Sequence, residues 1–344
     1  MKKILGILML FITLLSCGTK NETTENKTGK KFEGKELSIY VSFHEDMAKK
    51  LAELFEDQTG AKINYIRLPT GQAVTRIKAE ASSPQASVWI GGTADAQQNV
   101  ANDGLLESFE PENSKETPDN FKDSKNHTWT GIYVEALSIG VNTERFEKEF
   151  KDIPIPTKLE DLLNPAFKGE IILPDPNTSG TGLTIIASIL ESMGEEKGWE
   201  FISKLFENVA QFTSSGYTPA EKVGTGEYLI TINFLADQLI VKDHGFPIEG
   251  QVYEGAGWNI VPVAKIKGGA NPEIAEEFIN FSLNKESSDA LVELSKVISI
   301  RPDSKAPKGG KRITELPINK NFDPVKAASL KKDLLKKLNE IKPK

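Results

Sequence analysis

Strand-like and helix-like segments alternate along the first third of this sequence, and this alternation constrains the fold more than any other feature. Apolar Leu37, Ile39 and Val41 alternate with polar residues, which predicts a strand. Residues 47–55 then carry apolar side chains at helical spacing, and Gly60 follows as a C-terminal cap. The same alternation predicts further strands and helices, at residues 61–68, 71–82, 86–90 and 94–104. Alternating units of this kind imply a mostly parallel sheet with helices on both faces.

The pattern changes near Trp129. Residues 129–141 and 256–264 are predicted to be extended, and there we expect the chain to cross between two α/β lobes. The remaining predicted strands lie at 169–176 and 227–234, and the remaining predicted helices at 158–163, 183–190, 195–207, 272–283, 286–297 and 325–338. Each lobe is expected to be a mixed, mostly parallel sheet flanked by helices, with a ligand cleft between the lobes. We assign residues 36–132 and 259–303 to lobe I, and residues 133–258 and 304–344 to lobe II.

The N-terminus has the pattern of an export signal. Lys2 and Lys3 precede an apolar run of about a dozen residues, which is too short to span a bilayer. We interpret residues 1–16 as a signal peptide. The run ends in Leu-Leu-Ser-Cys at residues 14–17, which resembles the lipobox of bacterial lipoproteins. Lipidation is therefore expected at Cys17.

The segment after Cys17 is polar, and we interpret residues 17–35 as a lipidated cysteine with a flexible tether. Because the chain has 1 cysteine, an internal disulfide and a cysteine-based zinc site are excluded. No later run is apolar enough to cross a membrane, so we expect the lipid to hold the protein at the outer face of the cytoplasmic membrane. Loss of Lys2 and Lys3 takes the formal charge from −7 to −9, which argues against a nucleic-acid partner.

Five small residues, Thr178 to Gly182, stand between a predicted strand and a predicted helix. Thr178 or Ser179 can cap the helix, while Gly180 and Gly182 allow the backbone to approach a ligand closely. A helix N-terminus offers free N–H groups and partial positive charge, and the hydroxyls, including that of Thr181, add hydrogen-bond donors. The segment is therefore either a plain helix cap or a cradle for phosphate, phosphonate or carboxylate.

Other candidates lie where predicted strands end, which is where open α/β sheets bind ligands. Each has a structural alternative, such as a tight turn or a solvated loop. The candidates on the first lobe or near the first crossover are Ser42, His44, Gly92, Thr93 and Tyr133, and Ser215 lies in a further polar loop.

Several stretches, taken in order, resemble the substrate-binding proteins of ABC importers. The stretches are "LSIYVSFHEDMAKKLAELFEDQTGAKI", "VWIGGTADAQQNVANDGLLESF", "WTGIYVEALSIGVN", "DPNTSGTGLTIIASILESMGEEKGWEF", "GFPIE" and "ISIRPD". The resemblance covers about Leu37 to Asp303 and is greatest to the branch of ferric-iron, hexose-phosphate, phosphonate and polyamine binders. It implies a type II periplasmic-binding-protein fold that closes on its ligand like a hinge. It also implies that the protein hands a solute to a permease driven by a cytoplasmic ATPase, and we expect a monomer without a cofactor.

The stretch "NFLAD", residues 233–237, distinguishes among these ligands. Ferric binders of this group carry adjacent tyrosines there, and hexose-phosphate binders tend to carry His-Asp. Here Ala236 stands in place of the histidine and Asp237 remains. Asp237 and Glu254 are the carboxylates that we expect in the cleft, where they could accept hydrogen bonds from sugar hydroxyls or an ammonium group.

The preferred hypothesis is a binding protein for a small organic phosphate or phosphonate. A ferric or ferric-chelate binder is the alternative, and a polyamine binder fits the hydroxyl cradle poorly. A hydrolytic enzyme is a remote alternative, because the sequence lacks a Gly-x-Ser-x-Gly elbow, a P-loop and a His-Glu-x-x-His motif. A purely structural lipoprotein would leave the two-lobe pattern unexplained. We therefore assign no catalytic and no metal-binding residues.

Overall fold

The computed structural model describes residues 29–307 and 311–341, with the side chains of residues 327–330 left out. The predicted signal peptide, Cys17 and most of the predicted tether lie outside these residues. The strands are β1 Glu36–Ser42, β2 Lys62–Arg67, β3 Val88–Gly91, β4 Leu106–Glu107, β5 Thr130–Asn142, β6 Ile171–Pro174, β7 Val209–Thr213, β8 Ile230–Phe234, β9 Ile248–Gln251, β10 Trp258–Ile266 and β11 Ile298–Ser299. The helices are α1 Glu45–Thr59, α2 Thr70–Ala79, α3 Ala94–Asn102, α4 Thr143–Glu149, α5 Gly180–Met193, α6 Glu195–Asn208, α7 Thr218–Gly224, α8 Leu235–Asp243, α9 Pro272–Ser282, α10 Lys285–Ser295 and α11 Ala327–Ile341. Short 3-10 turns include one at Leu159–Leu163, where a helix was predicted.

Helix α1 illustrates how the local sequence sets these boundaries. Its first turn is capped by His44, whose Nδ1 accepts a hydrogen bond of 3.3 Å from the Asp46 N–H. Its buried face includes Leu51 and Phe55. The helix ends at Gly60, which adopts the left-handed conformation (φ 76°) that glycine tolerates. The predicted cap at Gly60 is confirmed.

The strands form one continuous mixed sheet in the order β2-β1-β3-β10-β5-β8-β6-β7. In the first half, β1 pairs in parallel with β2 and β3. In the second half, β6 pairs in parallel with β7 and β8. Between them, β10 and β5 run antiparallel to each other. The two halves are the two lobes of the predicted α/β fold.

Strand β5 passes from one lobe into the other. Its residues 130–136 pair with β10, whereas residues 137–141 pair with β8. Two separate extended segments were predicted here, and the structure corrects this prediction to one strand that ends at Asn142. The Asn142 side chain accepts a 2.9 Å hydrogen bond from the Arg145 N–H and so begins α4.

Apolar side chains form separate clusters in the two lobes. In lobe I, Phe55 packs against Phe278 and Phe281 with ring centroids 5.2 and 5.3 Å apart. Phe32 belongs to the same cluster, is 4% exposed and donates a 2.8 Å backbone hydrogen bond to Thr59. Residues near Phe32 are therefore folded, and the predicted tether, residues 17–35, ends too late, because an aromatic side chain close to its end completes the core.

The C-terminal segment, residues 304–344, does not belong to lobe II alone as predicted. Phe322 packs in a cluster of lobe I, whereas Leu338 is buried in lobe II. Helix α11 contacts α3 of lobe I and α5 of lobe II. The segment therefore spans both lobes. Among the described residues, no helix combines the length and the apolar character needed to cross a membrane.

Candidate functional site

A cavity of about 60 Å³ lies between the lobes. Lobe I contributes the segments that follow β1, β2 and β3, so the ends of three parallel strands meet there. Lobe II contributes the start of α5, the loop at residues 215–217 and the start of α8, and β5 contributes to the floor. We call this cavity the cleft.

Helix α5 begins at the cleft. Ser179 and Thr181 line the cleft and are 4% and 8% exposed. Ser179 is also the N-cap of α5, since its Oγ accepts a hydrogen bond of 3.4 Å from the Gly182 N–H. Ser179 therefore both caps helix α5 and forms part of the cleft wall.

Two neighbours of Ser179 do not line the cleft as predicted. The Thr178 carbonyl accepts a 2.9 Å hydrogen bond from the Gly71 N–H of lobe I. A Cβ on Gly180 would lie 2.6 Å from the Thr93 methyl group, also in lobe I. Both residues make contacts between the lobes, because the backbone at the start of α5 packs directly against α2 and α3. Gly182 approaches its own loop, where a Cβ would lie 2.5 Å from the Pro174 carbonyl oxygen.

Arg67 is the important residue that the sequence analysis missed. It ends β2 and lines the cleft. Its Nε donates a 2.9 Å hydrogen bond to the Phe43 carbonyl, and its Nη2 donates a 3.4 Å bond to Ser215 Oγ of lobe II. Among the described residues that line the cleft, Arg67 carries the permanent positive charge. Its position at a strand end was the only signal in the sequence.

The remaining candidates of lobe I lie in the cleft wall. Ser42 Oγ accepts a hydrogen bond of 3.0 Å from Trp89 Nε1. Thr93 Oγ1 is buried beside the Asp95 carboxyl, and its hydrogen bond opposes the burial that raises the pKa of Asp95. The His44 ring lies 4.5 Å from the Tyr217 ring of lobe II, and burial lowers the pKa of His44. Gly92 lines the cleft as well, beside Thr70.

The opposite wall is acidic. Asp237 lies in the first turn of α8, and its Oδ2 accepts a 3.3 Å hydrogen bond from Asn233 Nδ2. Glu135, which the sequence analysis missed, and Tyr133 reach the cleft from β5. Burial raises the pKa of Asp237 to about 7, and burial together with the charge of Asp237 raises the pKa of Glu135 well above its usual range. A single acid within the apolar run "IYVEALSI" was the available signal for Glu135.

The prediction for Glu254 is wrong. This residue is exposed and does not line the cleft. It lies in the turn between β9 and β10, next to Gly255 with φ 73°, and its side chain is exposed while Tyr253 and Ala256 of the same turn are buried.

Comparison with known protein families identifies the family to which this chain belongs. Residues 83–312 match the model of the family described as "Bacterial extracellular solute-binding protein". The chain belongs to this family. It is therefore a periplasmic solute-binding protein of the kind that serves ABC importers, which confirms the resemblance noted in the sequence.

Relatives of this solute-binding protein cover most of its length. It is 33% identical over 281 residues to an uncharacterized protein of Haemophilus influenzae, over 80% of this chain and 79% of the relative. It is 23% identical to iron uptake protein A1 of Synechocystis, over 76% of this chain and 74% of the relative. It is 24% identical to a Salmonella typhimurium periplasmic protein for which 2-aminoethylphosphonate binding has been proposed, over 73% of both chains.

Solved structures agree with the fold. AfuA from Actinobacillus pleuropneumoniae, with exogenous fructose-6-phosphate bound, superimposes with a TM-score of 0.85 at 31% identity, over 90% of this chain and 99% of that chain. The periplasmic binding protein P5PA gives a TM-score of 0.84 at 30% identity, over 90% of this chain and all of that chain. Iron-bound HitA from Pseudomonas aeruginosa, at 22% identity, gives 0.77 over 89% of this chain and 99% of that chain and supports the fold alone. The predicted type II periplasmic-binding-protein fold is confirmed.

The structure of this solute-binding protein is closed. The hydrogen bonds Gly71–Thr178 and Arg67–Ser215 both join lobe I to lobe II. In proteins of this fold a solute enters the open form and is enclosed when the lobes close. The close approach of Gly180 to Thr93 is part of this closed interface.

The raised pKa of Asp237 predicts how the ligand-free solute-binding protein responds to pH. The folded protein retains a proton that the unfolded chain has released between pH 3.8 and about 7, so Asp237 makes folding less favourable as the pH rises through this window. Asp237→Asn should therefore nearly match the wild type at about pH 4, at the lower edge of this window, and exceed its Tm at pH 8 by about 2–4 °C, or roughly 1 kcal/mol. Thermal unfolding at both pH values measures this difference. An equal difference at the two pH values would contradict it.

Proposed function

We propose that this solute-binding protein captures a small organic phosphate or phosphonate and delivers it to an ABC permease. The observation that carries the proposal is the position of Arg67, which lines the same closed cleft as Ser179 and Thr181 and donates a hydrogen bond to Ser215 of lobe II. A guanidinium group, hydroxyl donors and a helix N-terminus together suit a tetrahedral oxyanion. Among the described residues that line the cleft, Arg67 is the one whose charge favours an anionic ligand.

Individual side chains support this assignment. Thr93 Oγ1 is a buried hydroxyl at the N-terminus of α3, on a residue that lines the cleft beside the start of α5. We propose that the phosphorus group is bound by Arg67, Ser179, Thr181, Thr93 and Ser215, and that Ser42, His44 and Gly92 complete this side. The relatives and neighbours whose names mention fructose-6-phosphate or 2-aminoethylphosphonate bind, or have been proposed to bind, ligands with such a group.

The proposal involves binding without chemistry. Ser179, the hydroxyl that a hydrolase would need, accepts its hydrogen bond from the Gly182 backbone and has no histidine partner among the described residues. Within the described segments, no three His, Cys, Asp or Glu side chains are grouped so that they could hold a metal ion. We rank ferric iron below organophosphates because residues 233–237 lack the adjacent tyrosines that ferric binders of this group carry.

We further propose that the mature chain is a monomer held at the outer face of the cytoplasmic membrane by a lipid on Cys17. The support is the sequence of residues 1–17, with its short apolar run and lipobox-like end. Mass spectrometry of the membrane fraction, comparing wild type with Cys17→Ser, would detect the lipid on the N-terminal peptide.

A thermal-shift panel tests the proposed solute class. The chain from residue 18 onward is dialysed and then mixed with sugar phosphates, glycerophosphate, phosphonates, polyamines, Fe(III) or ferric citrate. A ligand at 100 times its Kd stabilises the folded state by about 2.7 kcal/mol and raises Tm by several degrees. We expect one or more organophosphates or phosphonates to do this. Stabilisation by Fe(III) or ferric citrate alone would contradict the proposal.

The double variant Ser179→Ala/Thr181→Ala is the matched test of the cradle. Loss of two hydroxyl donors to an anion should weaken binding of the stabilising phosphorus compound by about 30-fold or more, since each such hydrogen bond contributes about 1–2 kcal/mol. Thr184→Ala on the same helix is the control, because its hydroxyl bonds to the Gly180 carbonyl and does not line the cleft. Unchanged affinity in the double variant would mean that the segment is only a helix cap.

A further inference from the structure

The loop between β3 and α3, residues 91–94, carries part of the cleft wall of lobe I, because Gly92 and Thr93 line the cleft. Gly91 and Gly92 both have positive φ, 94° and 75°, a conformation that glycine adopts at little cost. Two consecutive glycines also leave a free loop many conformations to choose from. Contacts from outside this β3–α3 loop are therefore needed to hold the geometry in which it meets a solute.

Asn259 of β10 supplies such contacts. Its Oδ1 accepts a 3.3 Å hydrogen bond from the Ala94 N–H, and its Nδ2 donates to the Gly92 carbonyl over 3.5 Å. Thr93 occupies the N-cap position of α3 but makes no side-chain cap hydrogen bond. Asn259 therefore caps α3 from another strand, and Thr93 can line the cleft without serving as the cap.

A second amide ties the same loop to the same strand. Gln97 Nε2 donates to the carbonyls of Gly91 and Pro262 at 3.1 Å each, and Pro262 belongs to β10. Asn259 and Gln97 are 1% and 0% exposed, and neither lines the cleft. Buried amides are costly unless they are hydrogen-bonded, and both of these donate to the β3–α3 loop. The two side chains are therefore placed to fix the loop to β10.

Asn259 also lies close to the hinge. In the register of β10 and β5, Asn259 is opposite Glu135, and Trp258 is opposite Ala136. From Leu137 onward, β5 pairs with β8 of lobe II. Asn259 is therefore one residue pair away from the point where β5 passes between the lobes, and a hinge motion bends the strands there. The same side chain connects this point to the β3–α3 loop.

We propose that Asn259 is a positioning residue for solute binding: it fixes the β3–α3 loop to the strands at the hinge, and solute affinity depends on it although it does not line the cleft. This inference rests on the proposed function, because it places the oxyanion of the solute against Gly92 and Thr93. A loop that is already ordered loses less conformational entropy when a solute binds, so loss of the connection should weaken binding.

Asn259→Ala and Asn284→Ala form a matched pair. Asn284 caps α10 of the same lobe, where its Oδ1 accepts a 2.8 Å hydrogen bond from the Ser287 N–H, and it does not line the cleft. Each variant loses one helix cap, so both should lower Tm. Isothermal titration of the chain from residue 18 onward uses inorganic phosphate and glycerophosphate. Binding should weaken by about 10-fold or more in Asn259→Ala and stay within about 2-fold of wild type in Asn284→Ala.

Hydrogen exchange of the ligand-free protein gives a readout that does not depend on the solute. Peptides that cover residues 90–97 should exchange about 5-fold faster in Asn259→Ala, because the Ala94 N–H loses its acceptor and the loop opens more often. The same peptides should exchange at the wild-type rate in Asn284→Ala. Asn259→Leu fills the space without either hydrogen bond, and it serves as a second variant if Asn259→Ala does not fold.

Two results would overturn the positioning role: wild-type affinity in Asn259→Ala, or equal losses of affinity in Asn259→Ala and Asn284→Ala. Asn259 would then be a helix cap that affects stability alone, while the proposed function stands. Any other phosphorus compound that stabilises the wild type in the thermal-shift panel is titrated in the same way. If no phosphorus compound binds the wild type, the proposed function fails. Hydrogen exchange then decides the role of Asn259, and unchanged exchange at residues 90–97 would overturn it.

Discussion

Gly180→Ala is expected to weaken solute binding by about 10- to 100-fold without lowering the stability of the ligand-free protein. In the closed structure the new Cβ would lie 2.6 Å from the Thr93 methyl group, 2.7 Å from Thr93 Oγ1 and 3.1 Å from Thr70 Oγ1. All three atoms belong to the opposite lobe. Overpacking of this kind costs about 1–3 kcal/mol. The cost falls on the closed form alone, because opening the cleft separates the clashing atoms, and so the binding-competent population falls.

Gly182→Ala is the matched control for Gly180→Ala. Its Cβ would lie 2.5 Å from the Pro174 carbonyl oxygen and 2.7 Å from the Pro176 nitrogen, both in the same lobe. The clash therefore persists whether the cleft is open or closed, and this variant should lower Tm. Thermal unfolding combined with titration of the solute separates the two effects. If Gly180→Ala binds normally, or loses as much Tm as Gly182→Ala, then Gly180 does not act through closure.

Arg67→Gln should weaken the binding of an organophosphate or phosphonate by about 100-fold. The variant removes the permanent cation of the described cleft wall, and hydrogen bonds to charged groups in such sites are worth roughly 2–5 kcal/mol. It also removes the 3.4 Å link to Ser215 that joins the lobes, so closure becomes less favourable. Arg67→Lys should recover only part of the lost affinity. A lysine ammonium cannot donate to the Phe43 carbonyl, to Ser215 and to the ligand with the planar geometry of a guanidinium.

Lys62→Gln tests whether the effect of Arg67→Gln is specific. Lys62 lies at the start of the same strand, its side chain is 66% exposed, and it is distant from the cleft wall. Titration of Lys62→Gln should give the wild-type affinity. An equal loss in both variants would indicate a general effect of net charge, and no loss in Arg67→Gln would place the anion elsewhere.

The parts of the fold that follow from local periodicity were predictable from the sequence. The alternation after Leu37, the cap at Gly60 and the helix after Ser179 all depend on neighbouring residues, and the structure has each of them. The short helices α4, α7 and α8 were missed, because they are only 7, 7 and 9 residues long and follow strands at once or after a short loop.

The site was only partly predictable. Ser179, Thr181 and Thr93 lie at strand-to-helix junctions, where open α/β sheets expose ligands, and they reach the cleft. Arg67 and Glu135 belong to no local motif. They become cleft residues only because the end of β2 and the crossing strand β5, which are far apart in the strand order, both border the cleft. Glu254 was misassigned because proximity along the chain to a crossover strand does not determine the direction of a turn.

The place of β10 in the sheet has a consequence for folding kinetics. β10 lies between β3 and β5, although β3 ends at Gly91 and β10 begins only at Trp258. The sheet of lobe I therefore cannot be completed until most of the chain is available. Pairings between such distant segments form slowly, since the loop between them must be ordered first. For a protein that works outside the cytoplasm, this delay keeps a newly made chain unfolded, which is the state that can still be threaded through a membrane.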